Sequence, residues 1–244
     1  MRWRLILVKK IQTVRFDPSK KFEPVGLSVA MGNFDGVHRG HKSVIEIARP
    51  ENNKNKCGVL TFDPHPREFF SPSRKKFKIM SSAAKIHELE KLNVDVLIEI
   101  PFTKVLSSMD AETFAKTILS ENLKLSHVVV GKDFRFGFER LGTTDSLITY
   151  GKKYGFKVSI APIISSNRLE VSSTAIRQYL SDGDIENAAK MLGHWYYFVG
   201  KVIKGDQRGR NLGFPTINLT VDNLHLPKFG VYTAVAEVLS GKYK

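Results

Sequence analysis

Two histidines and three glycines lie close together in one short segment, residues 32–41, with the sequence Gly-Asn-Phe-Asp-Gly-Val-His-Arg-Gly-His. An apolar stretch precedes the segment and a helical pattern follows it, so we expect a strand that turns through glycines into a helix N-terminus. Free backbone N–H groups and the helix dipole point at such a turn and favour anions. The spacing of His38 and His41 lets both imidazoles face one phosphate chain. The segment therefore predicts a phosphate site that suits a nucleoside triphosphate.

A metal site is the alternative interpretation of the two histidines. A His-x-x-His pair that binds metal usually lies within a regular helix and has a third ligand. Here Gly40 stands between the histidines at a turn, and no cysteine cluster or helical His-Glu pair accompanies them. Phosphate binding is therefore favoured over metal binding.

The composition bounds the class of protein. The 244 residues allow one large domain or two smaller ones, and 42% hydrophobic with 25% charged residues is ordinary for a globular protein. Cys57 is the single cysteine, which excludes an internal disulfide and fits a cytoplasmic location.

The apolar core of the N-terminus, residues 5–8, is too short for a signal peptide and is expected to form a first strand. No run approaches membrane-spanning length, so no membrane partner is expected.

The chain is strongly basic, with a formal net charge of +14 and a pI of about 9.8. Such a field attracts nucleic acids, ATP and phosphorylated cofactors alike. Basic residues cluster in residues 2–21 and 74–78, but no helix-turn-helix, RNA-recognition or zinc-finger pattern accompanies them. A general basic surface is therefore expected, and specific nucleic-acid binding is not.

Apolar runs and helical patterns alternate along most of the chain. The candidate strands are Val25–Met31, Cys57–Phe62, Val94–Ile100, His127–Val130 and Lys157–Ala161. The candidate helices are Lys42–Ala48, Ser81–Lys91, Asp110–Leu119, Thr144–Tyr154, Thr174–Leu180 and Asp184–Leu192. Strands separated by helices imply crossover connections, and strands rich in Val, Ile and Leu imply burial of both faces. We therefore predict an α/β fold with a doubly wound, Rossmann-like parallel sheet and a ligand at the carboxyl ends of its strands.

The pattern changes after Gly193. Residues 194–204 and 230–239 are expected to form strands, with a glycine-rich loop over residues 205–213 between them and no helix. A domain boundary is therefore expected in the helical connector near residues 180–197.

Three further segments place reactive side chains at predicted strand or helix ends. Residues 61–66, Thr-Phe-Asp-Pro-His-Pro, form a stiff loop that, with Phe70 behind it, suits a flat ring ligand. Residues 131–137, Gly-Lys-Asp-Phe-Arg-Phe-Gly, hold two aromatic and two cationic side chains in one loop. Residues 171–177, Val-Ser-Ser-Thr-Ala-Ile-Arg, open a helix with hydroxyl groups and carry Arg177 one turn in. A plain turn, core-filling aromatic rings and helix caps are the structural alternatives, and for the third segment a second phosphate clamp beside the histidine turn is favoured.

Taken in order, these motifs resemble one family. Gly-x-Phe-Asp-Gly-x-His-x-Gly-His, Asp-Pro-His-Pro, Gly-x-Asp-Phe-Arg-Phe-Gly and Ser-Ser-Thr-x-x-Arg follow one another as in the prokaryotic bifunctional riboflavin kinase/FAD synthetases. Residues 205–218, Gly-Asp-Gln-Arg-Gly-Arg-Asn-Leu-Gly-Phe-Pro-Thr-Ile-Asn, resemble the start of that family's riboflavin kinase module. The resemblance runs from about Leu27 to about Val238, whereas the first motif alone marks only the wider nucleotidylyltransferase superfamily.

The resemblance implies an FMN adenylyltransferase domain over residues 1–185. The phosphate of FMN would attack the α-phosphorus of ATP and give FAD and pyrophosphate, with Mg²⁺ assisting. Because the attacking phosphate is already anionic, the protein has to align two polyanions and screen their charge.

The resemblance also implies roles for individual residues. The catalytic residues would be His38, His41 and Arg177. The ATP-binding residues would be Gly32, Phe34, Asp35, Gly36, His38, Gly40, His41, Ser173, Thr174 and Arg177, the last three around the departing pyrophosphate. The flavin-binding residues would be Pro64, Pro66, Phe70, Asp133 and Phe136. In the kinase module the residues facing ATP and Mg²⁺ would be Gly205, Gly213, Thr216 and Asn218, with Thr216 and Asn218 serving the metal.

The kinase module departs from the family's pattern. Ile217 stands where alanine is usual, and the chain stops at Lys244, before the further barrel strands, catalytic glutamate and C-terminal helix of the family. Residues 186–244 are therefore expected to form a partial small β-barrel. We expect this polypeptide not to phosphorylate riboflavin, although riboflavin is a substrate that the resemblance implies.

Two other functions fit parts of the sequence. An adenylyl- or cytidylyltransferase for another phosphorylated substrate would use the same histidine turn, but the Asp-Pro-His-Pro loop and the kinase-like segment argue against it. A basic RNA-binding protein on the same fold would bind RNA in a salt-sensitive way and release no pyrophosphate. The sequence pattern predicts no oligomeric state.

Overall fold

The computed structural model describes residues 10–23, 26–51, 56–71, 76–166, 169–206, 209, 213–214, 216–221 and 223–237. The strands are β1 Gln12–Arg15, β2 Ser28–Met31, β3 Cys57–Asp63, β4 Val96–Pro101, β5 His127–Gly131, β6 Lys157–Ala161, β7 Ser165–Ser166, β8 Leu169–Glu170, β9 Val202–Ile203 and β10 Asn218–Leu219. The helices are α1 Arg39–Ile47, α2 Pro66–Phe70, α3 Ser82–Lys91, α4 Lys104–Ser107, α5 Ala111–Thr113, α6 Thr144–Tyr154, α7 Ser173–Asp182 and α8 Ile185–Leu192. A π-helical segment, Phe114–Asn122, continues α5, and a 3₁₀ turn spans Phe138–Arg140.

Six strands form one parallel sheet in the order β1-β4-β3-β2-β5-β6. The chain winds from β2 through β3 to β4, and then returns to the other side through β5 and β6. Its direction therefore reverses between β2 and β5, and doubly wound sheets bind ligands at the carboxyl ends beside that reversal. The predicted doubly wound α/β fold is confirmed.

Both faces of the central strands β2 to β5 are buried, as the runs of Val, Ile and Leu predict. Successive residues of β4 point to opposite faces: Val96 and Ile98 pack in one apolar cluster and Leu97 in the other. Burial of each such side chain stabilises the fold by about 1.5–3 kcal/mol. The two clusters hold the sheet rigid, so the loops at its carboxyl edge start from fixed positions.

Local patterns predict most of this sheet and its helices. The expected strand at Lys157–Ala161 and the expected helix at Thr144–Tyr154 match β6 and α6 to the residue. The expected α-helix over 110–119 is wrong in type, because most of it is π-helical. Its apolar side chains, such as Phe114 and Ile118, are buried all the same, so apolar spacing does not separate the two helix types.

The strands expected after Gly193 are largely wrong. Among the described residues 194–206 the strand is β9 alone, which pairs antiparallel with β10, a small sheet that fits a partial barrel. Residues 230–237 form no strand, because no described segment pairs with them, and Val231 and Val235 are fully exposed. The strand expected at residues 5–8, and the start of the one expected at Val25, lie outside the described residues.

The chain after β10 packs against the α/β layer. The His225 N–H donates to the Lys78 carbonyl at 2.7 Å, and the Lys228 N–H donates to the Leu180 carbonyl at 2.8 Å. Leu224 is buried beside these contacts, with 2% of its surface exposed. This segment falls in the expected second domain, yet it braces α7 of the first, and the boundary between 185 and 186 stays a prediction.

Leu224→Ala is expected to lower the free energy of unfolding by about 2–4 kcal/mol, because it removes buried methyl groups from a site that cannot fully collapse. Urea denaturation measures the change. Val231→Ala is the control, since that side chain is fully exposed and its loss should cost less than about 0.5 kcal/mol. Equal effects of the two substitutions would show that Leu224 is not buried against the α/β layer.

Candidate active site

The loop between β2 and α1 has an unusual backbone. Its φ angles are +50° at Phe34, +91° at Gly36 and +40° at Val37. Glycine adopts such angles freely, whereas a β-branched residue such as Val37 pays a steric cost of about 1–3 kcal/mol. Contacts from the rest of the fold therefore have to hold the loop in place.

Asp35 supplies the main contacts. Its buried carboxylate accepts hydrogen bonds from the Ile79 N–H at 2.9 Å and from the Arg177 guanidinium at 2.7 Å, and its backbone carbonyl accepts from Ser173 Oγ at 2.9 Å. Burial raises the pKa of Asp35, and the positive charge of Arg177 opposes that rise. These bonds tie the loop after β2 directly to the start of α7.

Arg177 is held on three sides. Its guanidinium donates to Asp35 and to the Phe77 carbonyl, the latter at 3.0 Å, and it lies 3.8 Å from the centre of the Phe77 ring. Stacking on an aromatic face and pairing with a carboxylate both suit the flat guanidinium. Arg177 therefore braces the site as well as lining it, whereas the sequence suggested only a phosphate contact.

His38 and His41 lie side by side at the start of α1. Nδ1 of His38 caps the helix by accepting the His41 N–H at 3.2 Å, and the two rings stack with centroids 3.6 Å apart and planes 15° apart. A Cβ at Gly40 would lie 3.1 Å from the His38 ring, so glycine permits this close approach. Both rings reach one side of the same cleft.

The cleft histidines are uncharged at neutral pH. Burial, followed by the charge of Arg177, lowers the pKa of His38 to about 4, and burial, followed by His38, holds the pKa of His41 well below its usual value. Burial, followed by Arg177, lowers the pKa of His65 to about 3. Nδ1 of His41 is buried and has no hydrogen-bond partner among the described residues, which leaves it suited to a ligand.

A cleft of about 780 Å³ opens at the carboxyl ends of the strands, a size typical of small-molecule sites. Loops after β2, β3 and β5 and the start of α7 form its walls. The cleft is lined by these residues of the sequence prediction: Gly32, Phe34, His38, Gly40, His41, Pro66, Phe70, Asp133, Phe136, Ser173, Thr174 and Arg177. The structure thus brings most of the expected ATP and flavin residues to one place, and their individual roles stay predictions.

Some expected residues do not line the cleft. Asp35 lies behind it, and Gly36 faces Ile79 and Leu192 of the protein rather than the cleft. Pro64 also lies outside the lining, after the cis peptide bond from Asp63.

The expected kinase residues are elsewhere. Among them Gly213, Thr216 and Asn218 are exposed, and Asn218 lies against Gly205 in the small sheet that contains β9 and β10.

A family model described as FAD synthetase matches residues 20–175, and one described as riboflavin kinase matches residues 192–244. The chain belongs to the FAD synthetase family. The resemblance seen in the sequence motifs is thereby confirmed.

Relatives of the chain carry the name bifunctional riboflavin kinase/FMN adenylyltransferase. The protein from Escherichia coli K12 is 33% identical over 85% of this chain and 67% of its own length. Those from Listeria monocytogenes and Haemophilus influenzae are 38% and 34% identical, over 84% and 89% of this chain and 66% and 71% of their own lengths. The chain thus spans about two thirds of the length of these relatives.

A solved structure has the same fold. It is described as a macrolide-efflux protein from Streptococcus pneumoniae, and it superposes with a TM-score of 0.81 at 29% identity over 91% of this chain and 73% of its own. None of the helices in the described ranges of the present chain is long and apolar enough to cross a membrane.

In this member of the family, several cleft residues lie outside the motif segments singled out in the sequence. They are Arg67, Phe77, Phe102, Phe114 and Arg140. His65, Lys132 and Arg135 belong to those segments but carried no assigned role. Adjacency to the expected prolines could have indicated Arg67. Phe102 and Phe114 lie in no recognisable motif. They reach the cleft because β4 and the π-helical segment pack beside β3.

The sequence left open whether the aromatic side chains of these loops face a ligand or fill the core. The structure places Phe70 and Phe136 differently. Phe70 is 66% exposed and meets Phe69 and Phe102 edge to face, at centroid distances of 5.3 and 5.8 Å, so it offers a ring to the cleft. Phe136 is 6% exposed and packs on Phe114 at 5.9 Å, so it chiefly fills the core beneath the cleft.

The two helix-opening junctions meet although they do not follow neighbouring strands, because β5 lies between β2 and β6. After β6 the chain makes the small hairpin β7–β8 and then returns to start α7 beside the loop that follows β2. The close approach therefore comes from this hairpin and from the Asp35 contacts.

The stability of the protein is expected to fall as the pH is lowered from 7 to 5. Because burial holds the pKa of His38 at about 4, below its ordinary 6.5, the unfolded chain binds a proton in this range that the native chain does not. The difference amounts to about 2 kcal/mol for this one residue. Urea unfolding at both pH values should show that His38→Gln removes that part of the loss.

His87→Gln is the matched control, because His87 is exposed on α3. It should keep the parent's pH dependence. A His38→Gln chain that also kept it would show that the native fold does not hold this imidazole neutral.

Proposed function

We propose that the chain transfers the AMP moiety of ATP to the phosphate of FMN, which yields FAD and pyrophosphate. One observation carries the proposal: the paired imidazoles of His38 and His41 and the start of α7 line the same cleft at the reversal point of the sheet. Membership of the FAD synthetase family supports FMN and ATP as the substrates. A cytoplasmic location, which the single buried cysteine Cys57 favours, is part of the proposal.

The triphosphate of ATP lies between the two helix starts in this mechanism. His38 and His41 contact it from α1, while Ser173, Thr174 and Arg177 contact it from α7. Backbone N–H groups at helix starts favour the same anion. No nucleophile from the protein is required, because the phosphate of FMN attacks directly, and catalysis consists of alignment and charge stabilisation.

The neutral imidazole of His41 becomes a stronger donor when substrate binds. Negative phosphate oxygens beside His41 raise the pKa of that ring, since a nearby opposite charge favours the imidazolium. His38 donates from its Nε2–H, because its Nδ1 accepts the His41 N–H. An imidazolium stabilises the charge that develops on the leaving pyrophosphate. Burial without substrate keeps the rings uncharged, so the site avoids placing two like charges 3.6 Å apart before the phosphates arrive.

The opposite wall of the cleft suits FMN. Phe70 presents an exposed ring with aromatic neighbours, which suits the flat isoalloxazine. Arg67, Lys132, Arg135 and Arg140 line the cleft as well and supply positive charge for the second polyanion.

Mg²⁺ fits this site as part of the ATP complex. Among the described residues there is no group of three or more His, Cys, Asp or Glu side chains that could hold a metal. The cleft is instead lined by His, Lys and Arg side chains, which bind phosphate rather than Mg²⁺. Mg²⁺ commonly binds through substrate phosphates with one or two carboxylates, and Asp133 is a cleft carboxylate available for that. When bound, the ion neutralises charge on the transferring and leaving phosphates.

His41→Ala is expected to lower the rate of FAD formation at least about 100-fold, because it removes a donor from the phosphate site. FAD fluoresces less than FMN, so the fluorescence decay of FMN mixed with ATP and Mg²⁺ measures the rate. His87→Ala, an exposed histidine on α3, is the control and should keep the parent rate. Near-normal turnover by His41→Ala would remove that residue from the mechanism.

The rate of pyrophosphate release from ATP, measured with FMN and with other phosphorylated acceptors, tests which acceptor the protein uses. The rate should be highest with FMN. A higher rate with another acceptor would favour a transferase of different specificity, and no pyrophosphate release with any acceptor would contradict the proposal that the protein is an enzyme.

We further propose that the 244-residue chain does not phosphorylate riboflavin. Thr216 and Asn218 lie on open surface, and Phe229, Val231 and Val235 are almost completely exposed instead of enclosing a substrate. Chromatography of riboflavin incubated with ATP, Mg²⁺ and the chain should show no FMN. Formation of FMN that depends on the protein would overturn this part of the proposal.

A further inference from the structure

The peptide unit between Asn33 and Phe34 is held from behind by two side chains. The Asn33 carbonyl accepts a hydrogen bond from Thr61 Oγ1 at 3.0 Å and another from Lys85 Nζ at 3.0 Å. Thr61 is buried in β3, and Lys85 extends from α3. Asn33 and Phe34 line the large cleft and the two donors do not, so the carbonyl is directed away from the cleft.

This arrangement sets the direction of the Phe34 N–H. In a planar trans peptide the C=O and the following N–H point in opposite directions, and the cis bond found among the described residues is at Asp63–Pro64. With the Asn33 carbonyl fixed towards Lys85, the Phe34 N–H is directed towards the cleft side. It makes no hydrogen bond to any other described residue. The ring of Phe34 lies 5.0 Å from that of His41, and Phe34 lines the same cleft as the histidine pair.

The ammonium group of Lys85 is buried close to several carboxylates. Burial lowers the pKa of its ammonium, and the carboxylates of Asp35, Glu99 and Asp63 act against that shift. A small polar cavity behind the loop is lined by these groups together with Lys78. Lys78 forms an ion pair with Glu68 at 3.3 Å. Lys85 instead donates a hydrogen bond to the backbone carbonyl of Asn33 in the strained loop.

A cation on a carbonyl oxygen does more than fix its direction. It draws electron density towards the oxygen and makes the N–H of the same peptide unit a stronger donor, because linked hydrogen bonds polarise one another. A donor strengthened in this way is of use to an anion and of little use to an uncharged ring.

We propose that Lys85 is a positioning residue for adenylyl transfer, whose ammonium orients and polarises the Asn33–Phe34 peptide so that the Phe34 N–H donates to a phosphate oxygen of ATP. The assignment rests on the proposed function for the identity of the anion. Lys85 touches no substrate, and it acts through the backbone of the loop.

Binding measurements separate this role from a purely structural one. Titration calorimetry with the whole chain should show that Lys85→Met weakens pyrophosphate and ATP about tenfold, while the dissociation constant for FMN changes less than twofold. Lys85→Arg keeps a cation and should recover part of the loss. Lys78→Met removes the other lysine of the small cavity and should bind pyrophosphate as the parent does.

Thr61→Val provides a test that does not depend on the folding of the Lys85 variants. It removes the neutral donor to the same carbonyl and should weaken pyrophosphate about threefold without affecting FMN. Unchanged pyrophosphate binding in Lys85→Met or Thr61→Val, or equal weakening of pyrophosphate and FMN, would overturn the positioning role. Pyrophosphate binding can be measured without turnover. If Lys85→Met weakens pyrophosphate binding as expected but the parent chain forms no FAD, the proposed function alone is overturned.

Discussion

The buried ion pair between Asp35 and Arg177 is the contact on which the cleft depends. It joins two helix-opening segments that lie 142 residues apart in the chain, at a distance of 2.7 Å. A carboxylate in the interior is tolerated only when its charge is paired and its oxygens are hydrogen bonded, and the Ile79 N–H supplies the second bond. Loss of either partner would leave an unpaired buried charge and would release α7 from the loop after β2. The geometry of the side chains that line the cleft between these two segments is therefore a consequence of this pair.

The loop after β2 is held in place through three of its backbone carbonyl groups. Its carbonyl oxygens at Asn33, Asp35 and Gly36 accept hydrogen bonds from Lys85, Ser173 and His194, each between 2.9 and 3.1 Å. The cost of the positive φ angles at Phe34 and Val37 is offset by these bonds. Backbone strain maintained from outside is a form of preorganisation, because the loop does not need to rearrange when an anion arrives.

Electrostatics links the folding of this protein to its proposed substrates. Cations line the cleft, and burial keeps His38 and His41 uncharged. A polyphosphate that binds there neutralises the surrounding charge and so favours the native state over the unfolded chain. The segment around His225 reaches the same region from the far side: its ring lies 3.0 Å from the Arg177 carbonyl. The part of the chain that matches riboflavin kinase thus supports the cleft at Arg177.

The sequence by itself determined the parallel α/β architecture and the strand-to-helix turn through glycines and histidines at residues 32–41. Both depend on patterns within a few residues, such as the apolar run of β6 and the glycine-histidine turn, where local hydrogen bonding and side-chain periodicity decide the outcome. Only the tertiary structure decided that Asp35 faces away from the cleft, that Lys85 holds a loop 52 residues before it, and that α7 returns past β5 to meet α1. Such contacts come from the packing of whole elements, and no spacing along the chain records which buried charge will meet which partner.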